Sequence, residues 1–226
     1  MSTNGFESEP HAGHRQVVAA VPAVRPPLDD DLTQRMQLLR QYGNFTLAYS
    51  AARQPGLQHF TTPQGFIAFE RLWGINFVLG DPVVAEQHKA DLLRQYLRTY
   101  PKSTFVQVSR GTAEMLASER FFINEMGLDF ELDLANYDFA GKKKERLRYS
   151  GNRLRKRGYT IRELSVDEAG GPKRLRAITE SWRSALAVSG HPEEIRFLNR
   201  PPVYQDEPDV RKFFVFDAAN ELVGFY

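Results

Sequence analysis

The chain has 226 residues and a mass of 25.9 kDa, and its 42% hydrophobic and 26% charged residues are enough to build a core, which excludes a chain disordered overall. It contains no cysteine, so disulfides, thiolate nucleophiles and zinc–thiolate sites are excluded, and the composition agrees with a reducing cytosol. The net charge of +2 hides a change of sign, from 12 Lys+Arg against 16 Asp+Glu in residues 1–140 to 18 against 12 in residues 141–226.

Residues 1–27 are polar, with Pro22, Pro26 and Pro27, and read as a flexible tail. His11 and His14 lie there without carboxylate or thiolate companions, so no metal site is expected. A helix is expected from Leu28, because Leu28, Leu32, Met36 and Leu39 recur on one face, with Asp29, Asp30 and Asp31 at the positive end of its dipole and Gly43 as its stop. Four short apolar segments follow, Phe45–Tyr49, Leu57–Thr61, Gly65–Arg71 and Ile75–Leu79, separated by turn residues; they predict an antiparallel meander whose last two strands form a hairpin. Asp81 and Pro82 then read as the cap and first position of a helix that runs to about Leu97 and buries Leu92, Leu93, Tyr96 and Leu97. A strand over Thr104–Ser109 and a helix over Thr112–Met126 come next. Leu128, Phe130, Leu132 and Leu134 alternate with Asp129, Glu131 and Asp133, the pattern of a half-exposed strand.

The character of the chain changes at residue 141. Ten basic residues fall between Lys142 and Arg162, and Glu145 is the only acid before Glu163. A helix is expected over 141–157 even though Gly151 weakens it. Its spacing sets Lys143, Arg146 and Arg153 on one face and Lys144, Arg148 and Arg155 on another, with Lys142, Lys156 and Arg157 at its ends. Such a density of like charge opposes helix formation and calls for a compensating polyanion, or else for full solvation. A strand over Tyr159–Leu164 is expected, then a helix over Pro172–Leu186 with Leu175, Ile178, Trp182 and Leu186 inward. A short helix over His191–Leu198 follows, and a hairpin of Phe213–Phe216 with Leu222–Tyr226. The last strand ends with the chain, which predicts a piece of a longer protein with a raw sheet edge open to pairing, a second copy included. The acidic pairs Glu193-Glu194 and Asp206-Glu207 read as surface. Arg200-Pro201-Pro202 is a rigid extended element that aims Arg200 into a cleft or merely spaces a loop.

Three stretches carry a resemblance: Gly65–Val83 (GFIAFERLWGINFVLGDPV), Leu132–Arg157 with its GKKKERLR and NRLRKRG, and Phe197–Phe216 (FLNRPPVYQDEPDVRKFFVF). In that order they resemble the C-terminal catalytic region of the phosphatidylglycerol lysyltransferases, the lysyl-phosphatidylglycerol synthase or DUF2156-like family. The resemblance implies an α/β fold of mixed sheets, a tandem of two acetyltransferase-like (GNAT) units with the second one truncated. On that reading 1–27 is a tail, 28–140 the first unit, 141–158 a basic linker helix and 159–226 the opening of the second unit. It implies transfer of an amino acid of lysine type from aminoacyl-tRNA to a phosphatidylglycerol-type headgroup, with the catalytic residues beyond Tyr226.

The basic helix would then meet tRNA or lipid phosphates through Lys142, Lys143, Lys144, Arg146, Arg148, Arg153, Arg155, Lys156 and Arg157. No Gly-rich pyrophosphate turn of the coenzyme A type occurs, so no cofactor is expected. No apolar stretch reaches the roughly 20 residues that span a bilayer, so the expected place is the cytoplasm, with membrane contact peripheral at the inner face. The rival reading is a non-catalytic GNAT-like module that presents the basic helix to RNA or anionic lipid.

Overall fold

A computed structural model describes residues 29–188, 197–198 and 200–226. The expected tail, with His11 and His14, and most of the expected His191–Leu198 helix, with Glu193-Glu194, lie outside those residues. Among these residues the fold is mixed α/β, with two sheets.

The first helix, α1 (Asp29–Tyr42), is followed by α2 (Ala48–Arg53), where a strand was expected over Phe45–Tyr49. Ala48, Ala51 and Ala52 are all buried, and their close approach to the sheet, with the high helix propensity of alanine, outweighs the aromatic residues that suggested a strand. The strands β1 (Gln58–Thr62), β2 (Gly65–Leu72) and β3 (Ile75–Leu79) form the predicted antiparallel meander. Residues 65–69 of β2 are all buried because both faces of the strand are covered. Phe66 and Ala68 face α1 and α2, whereas Ile67 and Phe69 face the two helices that follow. Full burial of each phenylalanine is worth roughly 2 kcal/mol.

Asp81 does not cap the next helix. Val83 and Val84 form β4, which pairs with Phe66 and Gly65 and pushes the start of α3 to Glu86 (Glu86–Thr99), with Ala85 at its cap. The Asp81 carboxylate is buried instead and accepts hydrogen bonds from the Ser109 backbone N–H at 2.8 Å and the Ser109 hydroxyl at 2.6 Å. Leu92, Leu93 and Tyr96 are buried as expected, and Leu97 is half-buried. The strand β5 (Ser103–Val106) lies parallel to β3, shorter than the expected Thr104–Ser109.

Helix α4 runs from Arg110 to Ser118, not to Met126. Its stop is a C-terminal capping motif: Phe121 N–H donates to Leu116 O, Arg120 N–H donates to Ala117 O, and Arg120 adopts φ +68°. Beyond it, Leu128–Leu134 is not a strand. Leu128, Phe130, Leu132 and Leu134 are all exposed, Phe130 to 88%, and no described strand lies beside them to supply a ladder. The alternation was real, but a strand exists only when paired.

The second sheet is built from β6 (Thr160–Glu163), β7 (Phe213–Phe216) and β8 (Leu222–Phe225), all antiparallel, in that spatial order. Helix α6 (Gly171–Val188) covers it through Leu175, which is fully buried with Phe214, Phe216 and Leu222. Trp182, expected inward, is 51% exposed. The two sheets are joined by contacts of the 197–212 segment. Gln54 Nε2 donates to Phe197 O at 3.0 Å, Phe77 and Phe197 stack edge to face, Tyr49 Oη donates to Pro208 O at 2.8 Å, and Arg40 pairs with Asp209 at 2.7 Å.

Candidate functional site

The basic segment folds as a short 3-10 turn, Lys142–Lys144, that runs into α5 (Glu145–Lys156). Gly141 at φ +83° turns the chain into it. Glu145 lies in the first turn of α5 and Arg153, Arg155 and Lys156 in the last, the charge order that the helix dipole favours. No residue of the turn or of α5 is buried.

Seen down the axis, Leu147, Gly151 and Leu154 make a narrow stripe, with Arg146 and Arg153 on one flank and Arg148 and Arg155 on the other. Leu147, Tyr149 and Leu154 are exposed with the cations around them. Lys142, Lys143, Arg146 and Tyr149 line one shallow depression, which Glu145 shares.

The nine cations are not equivalent. Lys144 pairs with Asp138 at 3.0 Å and sits over the Tyr137 ring at 4.2 Å, and this ammonium, through its hydrogen bond, holds the Asp138 carboxyl below its ordinary range. The Arg148 guanidinium donates to the carbonyls of Phe139 and, at 2.8 Å, Gly141. Arg155 donates to Asn152 at 2.8 Å. Lys142, Lys143, Arg146, Arg153, Lys156 and Arg157 form no ion pair among the described residues. Lys144 and Arg148 therefore fix the helix to its own approach segment, Arg155 bonds within the helix, and six cations face solvent, ready to exchange small counterions for phosphates.

Arg200 lies elsewhere. Its guanidinium meets Glu207 and stacks over the Tyr49 ring at 5.0 Å, while Lys212 Nζ reaches the same carboxylate at 3.5 Å and donates to Val203 O at 2.6 Å. The Glu207 side chain is 6% exposed. Asp206, read from sequence as surface, accepts from the Val166 N–H at 3.0 Å.

A further pair of polar groups, buried Arg35 and half-buried His59, lies between α1, α2 and β1. The Nε2 of His59 lies 2.8 Å from Ala51 O and donates to it, which leaves Nδ1 bare, and burial, then the Arg35 charge, pulls the imidazolium down to about 4. Arg35 is only 5% exposed and burial lowers its pKa against the opposing pull of Asp31.

No cluster of three or more His, Asp or Glu suited to a metal ion occurs among the described residues. No helix among them is long and apolar enough to cross a membrane.

One exposed residue was missed from sequence. Trp73 and Gly74 form the two-residue β2–β3 turn with φ +50° and +80°, and Trp73 is 90% exposed. The signal was present, since a Trp-Gly pair between two apolar runs is a two-residue hairpin turn with an aromatic side chain at its tip.

Residues 36–226 match the family described as phosphatidylglycerol lysyltransferase, C-terminal. No match was found among curated proteins. Among solved structures, the chain is similar to L-PGS from Bacillus licheniformis, with 21% identity and a TM-score of 0.66 over 85% of this chain and 62% of that one. It is also similar to a C-terminal DUF2156 domain from Agrobacterium fabrum, with 17% identity and a TM-score of 0.63 over 87% of this chain and 62% of that one. The chain thus spans about 62% of the length of these two structures.

Proposed function

The chain belongs to the family of phosphatidylglycerol lysyltransferase C-terminal domains, and on that premise we propose that it works in the transfer of an amino acid of lysine type from aminoacyl-tRNA to a phosphatidylglycerol-type headgroup, with α5 as the contact for tRNA phosphates. The reaction is an ester exchange. A headgroup hydroxyl oxygen attacks the carbonyl carbon of the aminoacyl ester, the ester oxygen of the tRNA ribose leaves, and the hydroxyl proton ends on that ribose oxygen. Both reactants are polyanionic or anionic, so a cationic approach surface lowers the cost of bringing them together.

The observation that carries this reading, beside the family, is that six cations of the 142–157 segment are exposed and unpaired among the described residues. Lys142, Lys143, Arg146, Arg153, Lys156 and Arg157 are the phosphate contacts in this proposal, while Lys144 and Arg148 hold the segment in place and Arg155 bonds to Asn152 within the helix. Arg200, tied to Glu207 and stacked over Tyr49, sets the position of its segment against α2.

Transfer of radiolabelled lysine from lysyl-tRNA into phosphatidylglycerol vesicles tests the proposal, measured on this chain and on a version extended to the full span of its solved relatives. Labelled lipid in the organic phase is expected from the extended version. Its absence there, with folding verified, overturns the proposal.

A further inference from the structure

One end of the first sheet gathers an exposed aromatic tip and a rim of cations. The β2–β3 hairpin projects Trp73 there, with Ile75 beside it, both exposed. The Trp73 ring is steadied from below by an edge contact with Phe77 at 6.4 Å. The loop between α3 and β5 reaches the same end, because Asn76 donates to Lys102 O from its backbone at 2.8 Å and from its side chain at 3.1 Å. Arg71 next to the tip, Lys102 in that loop and Arg98 in the last turn of α3 are all exposed, and the only acid in segments 70–75 and 98–102 is the half-buried Glu70. The β1 approach at this end, residues 54–57, carries no charge.

Trp73 is also held in a backbone conformation that disfavours it. At φ +50° a residue with a bulky side chain is strained, and asparagine or glycine would suit the first turn position better. A strained and largely solvated indole gains only the edge contact with Phe77 from the fold, so a contact outside the fold accounts for it best. Indole rings settle at the headgroup level of a bilayer, where the ring is half-dehydrated and its N–H stays hydrogen-bonded, and flanking Arg and Lys side chains reach anionic phosphates.

From these observations we infer that the Trp73 hairpin tip, with Ile75 and the cations Arg71, Arg98 and Lys102, is a docking surface for an anionic phospholipid bilayer. The inference rests on the phospholipid half of the proposed function and is independent of the tRNA half. It adds a surface distinct in sequence and element from α5.

The chain has two tryptophans, Trp73 and Trp182, so Trp182→Phe leaves Trp73 as the sole indole reporter in the full chain. Mixed with vesicles of phosphatidylglycerol and phosphatidylethanolamine, in the absence of tRNA, its emission is expected to move to shorter wavelength and to lose access to an aqueous quencher. Vesicles of phosphatidylcholine alone are expected to give little change. Trp73→Ala is expected to weaken sedimentation with the anionic vesicles by about tenfold, and Arg71→Glu with Lys102→Glu to weaken it further.

An unmoved Trp73 emission overturns the inference, whether the protein fails to bind or sediments through another surface. In the latter case Lys142→Glu, Lys143→Glu and Arg146→Glu reveal α5 as that surface. A shift produced by tRNA and not by vesicles also overturns it, in favour of stacking on a nucleobase. Failure of the tRNA reading leaves each of these readouts unchanged.

Discussion

At the scale of single residues, two side chains sit where local physics is against them. Trp73 occupies the first position of a turn in which both residues have positive φ. Trp73→Asn supplies the preferred Asn-Gly pair and is expected to stabilise the fold by about 0.5–1 kcal/mol, seen as a higher denaturation midpoint with unchanged slope. A loss of stability would mean that the Phe77 contact outweighs the strain. His59 is the second. Its pKa of about 4 lies below its ordinary 6.5 because of burial, with the Arg35 charge adding to it. The unfolded chain therefore binds the proton more readily, so the contribution is complete above about pH 6.5 and drains away as the pH falls toward 4. Its full size is up to about 3 kcal/mol. His59→Gln, which keeps a donor for Ala51 O, is expected to show a flatter loss of stability than the wild type over that interval. Parallel curves would contradict it.

At the scale of elements, much of the fold was legible in the sequence. The β2–β3 hairpin, α3 with Leu92, Leu93 and Tyr96, and the β7–β8 hairpin follow from apolar periodicity and turn residues, which are local signals. What was not legible depends on non-local partners. Ala48, Ala51 and Ala52 gave no strong pattern, and alanine's helix propensity settles α2 only together with the sheet beneath. The run Leu128–Leu134 has the period of a strand, but no described strand pairs with it. Helix α5 was foreseen with its cations, but the division between engaged and free ones needed coordinates, because Lys144 and Arg148 meet carbonyls and a carboxylate several residues upstream. That division makes a prediction. Reversing Lys142, Lys143 and Arg146 to glutamate is expected to weaken tRNA binding without lowering the melting temperature. Reversing Lys144 and Arg148 is expected to loosen the 137–148 segment, seen as faster amide exchange there. Equal effects of the two sets on binding and exchange would contradict the division.

At the scale of the whole molecule, described residues 197–198 and 200–212 link the two sheets, and the Arg200–Glu207–Lys212 cluster lies among them. Both cations depend on one carboxylate, and all three side chains are largely buried. Removing that carboxylate strands two cations, so Glu207→Ala is expected to cost about 3 kcal/mol, measured by urea denaturation. The exposed Arg40–Asp209 pair is a weaker link, and Arg40→Ala is expected to cost no more than about 1 kcal/mol. The sequence had read Asp206-Glu207 as surface, because nothing local shows that the side chain of residue 207 is enclosed by Arg200 and Lys212 beside Tyr49 of α2.

The claim on which the functional account turns is that the free cations of the 142–157 segment bind nucleic-acid phosphates. The most direct measurement is the affinity of the protein for lysyl-tRNA across a series of salt concentrations. With six phosphates neutralised, the plot of log affinity against log salt is expected to have a slope of roughly −5, and the Lys142→Glu, Lys143→Glu, Arg146→Glu variant a slope shallower by about 3. An affinity indifferent to salt, or a slope that the triple variant leaves unchanged, would contradict the account.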